Sequence, residues 1–389
     1  MCHVRQRGER GCLPVIAVWP GGAYEYAAMP ANHLLSLLGI SVPLIQAPMA
    51  GVSSPDMAAA VSDAGALGSI AVGAGNAEAA RDMIRAVRAR TERPFNVNLF
   101  CHAPAQADPA KEAAWIRRFA PLFTHYGVTP PAELREIYRS FQGDDAMLCV
   151  LLEERPAVVS FHFGLPPAAT VAALKEAGIV LLASATNLTE ARAIAAAGID
   201  AVVAQGWEAG GHRGSFDPDV PDEMLGTFAL VRLVSAALDI PVIAAGGIMD
   251  GRGIAAALAL GASAAQLGTA FIACDESLAD AGYRAALVQG GGAGTVMTRM
   301  VSGRPARILP NRFAAMNGSC EEAMVPAYPI AYDLGKALHV AAKARGEQGY
   351  GAHWAGQGAP LLRSMTAAEL VRTLVAELAQ AIATENLPG

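Results

Sequence analysis

From about residue 40 the chain repeats one pattern: a short, nearly uninterrupted apolar run, then a longer amphipathic stretch. Strands covered by helices on both faces lose the polar alternation of half-exposed strands, so this pattern predicts βα units and a parallel sheet. The runs fall at 44–48, 67–72, 95–100, 158–163, 180–185, 201–206, 241–246 and 264–271. Helical periodicity fills 56–64, 76–90, 168–177, 188–197, 223–237 and 250–260. Eight βα units predict a closed (β/α)₈ barrel, an α/β TIM-barrel fold. An open doubly wound sheet is disfavoured, because no G-x-G-x-x-G follows the first run.

Three stretches fall outside this rhythm. Residues 103–150 exceed an ordinary crossover and carry helical spacing at Glu112 to Phe123 and Pro131 to Phe141, which predicts an inserted helical lobe. Residues 287–360 are rich in Gly and Arg without a clear period, and a final helix is expected at 366–384. Residues 1–28 hold Arg5, Arg7 and Arg10 before a short apolar run broken at Pro20-Gly21-Gly22. That run is a poor secretory signal, and Met29 looks like a natural start. The expected division is therefore an extension at 1–28 outside the fold, a barrel at 29–286, and a lid segment with its closing helix at 287–389.

Composition narrows the function classes. Hydrophobic residues make up 53% and charged residues 16%, with a net charge of −6 and no basic stripe. A large packed core is expected and nucleic acid is not an expected partner. No apolar run is long enough to predict a membrane span. The six cysteines show no C-x₂-C spacing and read as reduced, mostly buried thiols of a cytoplasmic protein. No His, Asp or Glu set has metal spacing, so no metal is expected, and there is no G-x-S-x-G elbow.

Active sites of such barrels lie at the C-terminal ends of the strands. There the seventh run ends in Gly246-Gly247 and the eighth carries Gly268-Thr269. Glycines leave backbone N–H groups open to an anion, the next helix N-terminus adds its dipole, and Thr269 offers a hydroxyl. This pair predicts a phosphate site. The first run ends in Gln46-Ala47-Pro48-Met49-Ala50-Gly51, which suits either a flat ligand or an ordinary turn. After the sixth run stands His212, flanked by glycines. Its ordinary pKa suits a general base at the barrel mouth. His162 ends the fourth run and reads equally as a site residue or a core histidine; His102, just after the third, stays open. His3, His33, His125, His339 and His353 lack strand-end placement. Tyr328, Tyr332 and Lys336 are spaced for one helix face, which fits either an anion site or phenols packed on the barrel.

Together these motifs resemble the nitronate monooxygenase family, from about residue 31 to the C-terminus. The matching stretches are QAPMAG (46–51), PFNVNLF (94–100), AQGWEAGGHRG (204–214), AAGGIMDGRG (244–253) and QLGTAF (266–271). AYPIAYDLGKAL (327–338) and WAGQGA (354–359) resemble the bacterial class I type. The glycine elements alone are less specific, being shared with flavin enoyl reductases and NADH:quinone reductases. The resemblance implies an FMN cofactor held by Pro48, Met49, Asn98, Gln205, Gly210, Gly246, Gly247, Gly268 and Thr269. It implies His212 as catalytic base for nitroalkanes, with His162, Tyr138, Tyr328, Tyr332 and Lys336 lining the substrate cavity. The implied reaction is oxidation of alkyl nitronates, propionate 3-nitronate among them, by O₂ to a carbonyl compound and nitrite through a flavin semiquinone. The implied partners are a small-molecule substrate and O₂, in a monomer or homodimer. Two other readings share the glycine cradle: an NAD(P)H-dependent flavin reductase of quinones or enoyl thioesters, and a flavin-binding protein without turnover.

Overall fold

The computed structural model describes residues 32–290, 294–316 and 324–385. The expected extension at 1–28, with Met29, Cys2, Cys12, Cys320 and His3, lies outside the described residues. Strands β1 (Leu44–Gln46), β2 (Gly68–Ala71), β3 (Phe95–Phe100), β4 (Val158–His162), β5 (Val180–Ala185) and β6 (Ala201–Gln205) come first, then a two-residue strand β7 (Gly211–His212), then β8 (Val242–Ala245) and β9 (Ala264–Leu267). Apart from β7 these pair in parallel in the order β1-β9-β8-β6-β5-β4-β3-β2. A parallel bridge between Ile45 and Leu67 closes the ring. Among the described residues the fold is an eight-stranded (β/α)₈ barrel.

The helices in chain order are α1 (His33–Leu38), α2 (Pro55–Asp63), α3 (Ala77–Arg88), α4 (Pro109–His125), α5 (Asp145–Glu154), α6 (Ala168–Glu176), α7 (Leu188–Ala196), α8 (Thr227–Ala237), α9 (Gly251–Ala259), α10 (Ala281–Gly290), α11 (Arg312–Ala315), α12 (Ile330–Lys343) and α13 (Ala367–Glu385). Several open on a short polar residue whose side chain accepts an N–H of the first turn: Ser54, Asn76, Asn187 and Asp250 do so for α2, α3, α7 and α9. Helix α1 closes the barrel floor, its Leu34 and Leu38 packing with Ile45, Leu182, Val203 and Ile243 inside the ring. The outer ring is α2, α3, α5, α6, α7, α8, α9 and α13, with α13 packed against α9 and α2. Helix α13 thus serves as the helix of the eighth unit. The segment 268–366 is an excursion between the eighth strand and its own helix.

That excursion and the insertion after β3 meet over the barrel mouth. Trp115, Phe119 and Phe123 of α4 pack with Phe313 of α11 and with Leu334 and Leu338 of α12 as a second apolar core. A small antiparallel sheet joins this lid to the barrel: β10 (Val296–Thr298) pairs with β11 (Ala306–Ile308), and β11 pairs with β7.

The structure corrects four sequence expectations. The eighth strand stops at Leu267 rather than 271, because Thr269–Phe271 turns into a 3₁₀ helix. Residues 131–141 are irregular, not helical. Their apparent period has another cause: Leu134 packs in the lid core, Tyr138 at the site and Phe141 in the barrel wall. Helix α8 begins at Thr227 rather than 223, where the Glu208 carboxylate accepts from the Thr227 N–H and hydroxyl. Helix α5 packs on α3 and α6, so it is the ordinary crossover helix of the third unit rather than part of the lobe. Cys101 and Cys274 are buried free thiols, whereas Cys149 is exposed. No described helix is long and apolar enough to cross a membrane.

If the lid has a true core, Phe119→Ala must leave a cavity in it. Denaturant titration should then show a loss of about 3–5 kcal/mol, as for other buried phenylalanines. A change under about 1 kcal/mol would mean that α4 is only loosely apposed.

Candidate active site

A cavity of ≈ 450 Å³ lies between the C-terminal strand ends and the lid. It falls within the size range of small-molecule sites. Every site residue expected from the sequence lines it: Pro48, Met49, Asn98, Gln205, Gly210, Gly246, Gly247, Gly268 and Thr269, together with His212, His162, Tyr138, Tyr328, Tyr332 and Lys336. None of its lining residues is Asp or Glu, in a chain that is acidic overall. Among the described residues no cluster of three or more His, Cys, Asp or Glu could hold a metal ion.

One end of the cavity is built from backbone. Gly246 and Gly247 follow β8 at φ 121° and 71°, in the region that favours glycine. Among the described residues nothing accepts from the N–H groups of Gly246, Gly247 and Gly268. The Thr269 hydroxyl oxygen accepts from the Gly356 N–H at 3.0 Å, which leaves its proton to donate. Gly210 packs so close to the lid that a Cβ would stand 2.4 Å from the Gly356 nitrogen. This is the donor set an anion such as a phosphate needs. The helix terminus behind these loops departs from the sequence expectation. The first turn of α9 is not free, because Gly251 N–H donates to Glu377 at 2.9 Å and Gly253 N–H to Asp250 at 2.7 Å. The cradle therefore consists of loop N–H groups, and carboxylates already cover the helix terminus.

The other end is built from side chains. His212 lies in β7, where it pairs with Ala306 of the lid. Its Nε2 is 2.8 Å from the Ser302 hydroxyl. Ser302 in turn donates to the Arg304 carbonyl at 3.3 Å. Read as a network, this places the proton on Nε2 and leaves Nδ1 as the lone-pair nitrogen. The ring is walled by Phe163, Tyr328, Tyr332 and Trp354, with centroids 5.7, 5.3, 6.1 and 4.9 Å away. Burial, followed by the Arg304 charge and then His162, holds the His212 pKa down at about 3. His162 spends both nitrogens on positioning: Nδ1 accepts from Ser184 at 2.9 Å and Nε2 donates to the His212 carbonyl at 3.4 Å. Gln205 clamps the same loop, donating to the His212 carbonyl at 3.1 Å and accepting from Gly214 N–H at 2.7 Å. Asn98 donates to Ser160 at 2.9 Å.

Lys336 of α12 stands over the rings of Tyr138 and Tyr332, 4.9 and 5.4 Å from their centroids. Tyr328 precedes α12 rather than lying on it, yet its ring packs with Tyr138 and His212. Burial pushes the Tyr328 and Tyr332 phenols well above their usual pKa, so both stay protonated donors. Sequence reasoning did not find Phe163, Tyr283 and Trp354 on the cavity, nor Ser302 behind it. Of these Phe163 carried a signal in its place directly after β4, and Trp354 one in the WAGQGA stretch. His102 is buried with Nδ1 2.9 Å from the Ala103 carbonyl and does not line the cavity. His353 is stacked on Tyr283.

The neutral histidines have a measurable signature. Both folded pKa values, about 4 for His162 and about 3 for His212, lie below the ordinary 6.5. As pH falls through about 6.5 the unfolded chain takes up protons that the folded site refuses, so stability drops toward acid. Calorimetry from about pH 7 to pH 5 should show a falling Tm, with a shallower slope in His212→Asn and His162→Asn. Equal slopes in all three proteins would contradict the neutral assignment.

The molecule can now be set beside known proteins. A family model for nitronate monooxygenase matches residues 31–377. The nitronate monooxygenase of Paraburkholderia phytofirmans is 62% identical over 349 residues, covering 90% of this chain and 95% of that one. The Pseudomonas aeruginosa nitronate monooxygenase is 58% identical over 347 residues, covering 89% and 99%. Among solved structures, nitroalkane oxidase from Streptomyces ansochromogenes superposes with a TM-score of 0.83 at 43% identity, covering 91% and 99%. FabK from Thermotoga maritima superposes with a TM-score of 0.70 at 31% identity, covering 92% and 99%. A barrel closed by a lid that brings Tyr328, Tyr332 and Lys336 to the cavity opposite its glycine loops, matched at this identity over nearly its whole described length, is an oxidoreductase that belongs to the nitronate monooxygenase family.

Proposed function

We propose that the protein binds FMN and oxidises alkyl nitronates with O₂ to a carbonyl compound and nitrite. The observation that carries this reading is one cavity holding both an anion cradle and a cationic, carboxylate-free wall. The relatives named for nitronate monooxygenase and nitroalkane oxidase supply the reaction class. The favoured substrate class is a small carboxylated nitronate such as propionate 3-nitronate. Free Cys101, Cys149 and Cys274 suit a reducing cytoplasm as its place of action.

The residues present fit FMN. Gly246, Gly247, Gly268 and Thr269 would hold its phosphate, and Pro48, Met49, Asn98, Gln205 and Gly210 would border the rest. When bound, FMN supplies one-electron oxidation of the nitronate and the site for O₂ chemistry. The protein's own part is position and charge. Lys336 and the protonated phenols of Tyr328 and Tyr332 meet the negative nitro oxygens. Tyr138 keeps the ammonium in place through its ring. With a neutral nitroalkane, His212 Nδ1 takes the α-proton, and the imidazolium formed is neutralised at once by the nitronate it creates. A base with so low a pKa in the free site draws its strength from that ion pair. With a preformed nitronate no proton needs to move. Two nitronates and one O₂ would give two carbonyl compounds and two nitrites, each carbonyl taking one oxygen atom of O₂ as its C–N bond breaks.

Oxygen uptake with propionate 3-nitronate should be fast and should release nitrite, with NADH neither required nor able to bleach the flavin anaerobically. Bleaching by NADH would favour a nicotinamide-dependent reductase instead. His212→Asn should lose nitroalkane turnover by about 10²-fold or more while nitronate turnover stays within a few-fold. Equal losses would remove His212 from the role of base.

A further inference from the structure

The lid contributes one charge that the reading above does not use. Arg304, in the turn between β10 and β11, is 2% exposed. Among the described residues no carboxylate pairs with it. Its guanidinium donates to the carbonyls of Ser215 and, at 3.3 Å, Phe216, and its Nε–H has no acceptor. Glu190 and Asp217 act on it only through space. A full charge left unpaired in the interior is costly and is ordinarily neutralised by a partner.

What stands in front of it is the site. The Arg304 Cζ lies 4.3 Å from the centroid of the Phe163 ring. Phe163 lines the cavity and holds the left-handed φ of 73°, which a bulky residue adopts only under constraint. The same ring packs against His162, Tyr328 and His212, at 4.4, 5.4 and 5.7 Å. Thus a strained aromatic residue separates a buried cation from a cavity that has no carboxylate on its walls.

We propose that Arg304 is a positioning residue for anions: acting across Phe163, its unpaired charge draws an anionic substrate into the cavity and holds it beside His212. The anion is a nitronate only if the proposed function above holds; the electrostatic role does not depend on it. Arg304 does not touch the ligand. Its field crosses an apolar ring in a low-dielectric wall, where a charge acts further than in water. Lys336 is the cation in contact, and Arg304 is the one behind the wall. The pKa directions agree. After burial, Arg304 is the next cause that lowers both His162 and His212, and Arg304 itself, lowered by burial to about 10, stays charged at neutral pH.

The test uses propionate and propionamide, which share a shape and differ in charge, bound to the FMN-loaded protein and measured by calorimetry. The wild type should prefer propionate by about tenfold or more, and Arg304→Gln should shrink that preference by at least about fivefold. Arg304→Lys should keep it within about twofold, since the charge survives while the carbonyl contacts change. Lys336→Met should retain at least about threefold preference, because the charge behind Phe163 remains. The proposal is overturned by no preference in the wild type, by an unchanged preference in Arg304→Gln, by an equal loss in Arg304→Lys, or by complete loss in Lys336→Met. Should Arg304→Gln not fold, the Lys336→Met arm still decides. No turnover is measured, so inactivity toward nitronates with intact anion preference would strike the proposed function and leave this inference standing.

Discussion

The site depends on a very short piece of backbone pairing. Gly211 and His212 form a strand of two residues, and Arg307 and Ala306 of the lid lie opposite. A pair this short would be marginal alone. It is reinforced at the His212 carbonyl, which accepts from both Gln205 and His162. Two barrel strand ends therefore converge on the one peptide that the lid also holds. The His212 ring, the phenols of Tyr328 and Tyr332 and the barrel mouth become parts of one frame. That is the condition under which fixed dipoles and charges act on a reacting group without first having to reorganise.

The charges in this frame are of one kind. The walls carry Lys336, two neutral imidazoles and protonated phenols, and the acidic residues lie elsewhere. The carboxylates nearest the glycine cradle have other duties: Glu208 caps α8 and Glu377 reaches the first turn of α9. Glu377 is itself tied to Arg363, which also donates to the Met249 carbonyl. The starts of α8 and α9 are thus satisfied from within, and among the described residues nothing accepts from the N–H groups of Gly246, Gly247 and Gly268. No carboxylate of the cavity wall would compete with a bound anion.

Much of this was legible in the sequence, for identifiable reasons. The eight strands showed because a strand buried on both faces loses the regular polar alternation of a half-exposed one. The glycines that line one end of the cavity showed because Gly246, Gly247 and Gly268 follow apolar runs directly. Tyr328, Tyr332 and Lys336 of the lid showed through their spacing and the AYPIAYDLGKAL stretch, but the rest of what the lid brings did not. Ser302 and Arg304 lie in a Gly- and Arg-rich stretch with no period, and an arginine there reads as surface. Its guanidinium is held by the Ser215 carbonyl, 89 residues earlier in the chain. Tyr283 and Trp354 likewise reach the cavity through the lid's own packing. The false helix at 131–141 has the opposite origin, a genuine spacing of buried residues produced by three separate anchor points. The helix-dipole argument for α9 failed because Glu377 lies 126 residues away in sequence from the N–H it occupies.

The placement of α13 has a consequence for cooperativity. Because the chain leaves the ring after β9 and returns to supply the eighth outer helix, the lid is a handle fixed at both ends rather than a flap hinged at one. Its ends are held near one another by the finished barrel, so the entropy of closing that long loop is met when the barrel forms, not when the lid docks. The lid core around Phe119 and the barrel core around Leu182 share few side chains. Such a molecule has the anatomy of two foldons in series: the ring can persist while the handle frays, but the handle has nothing to fold upon until the ring is complete.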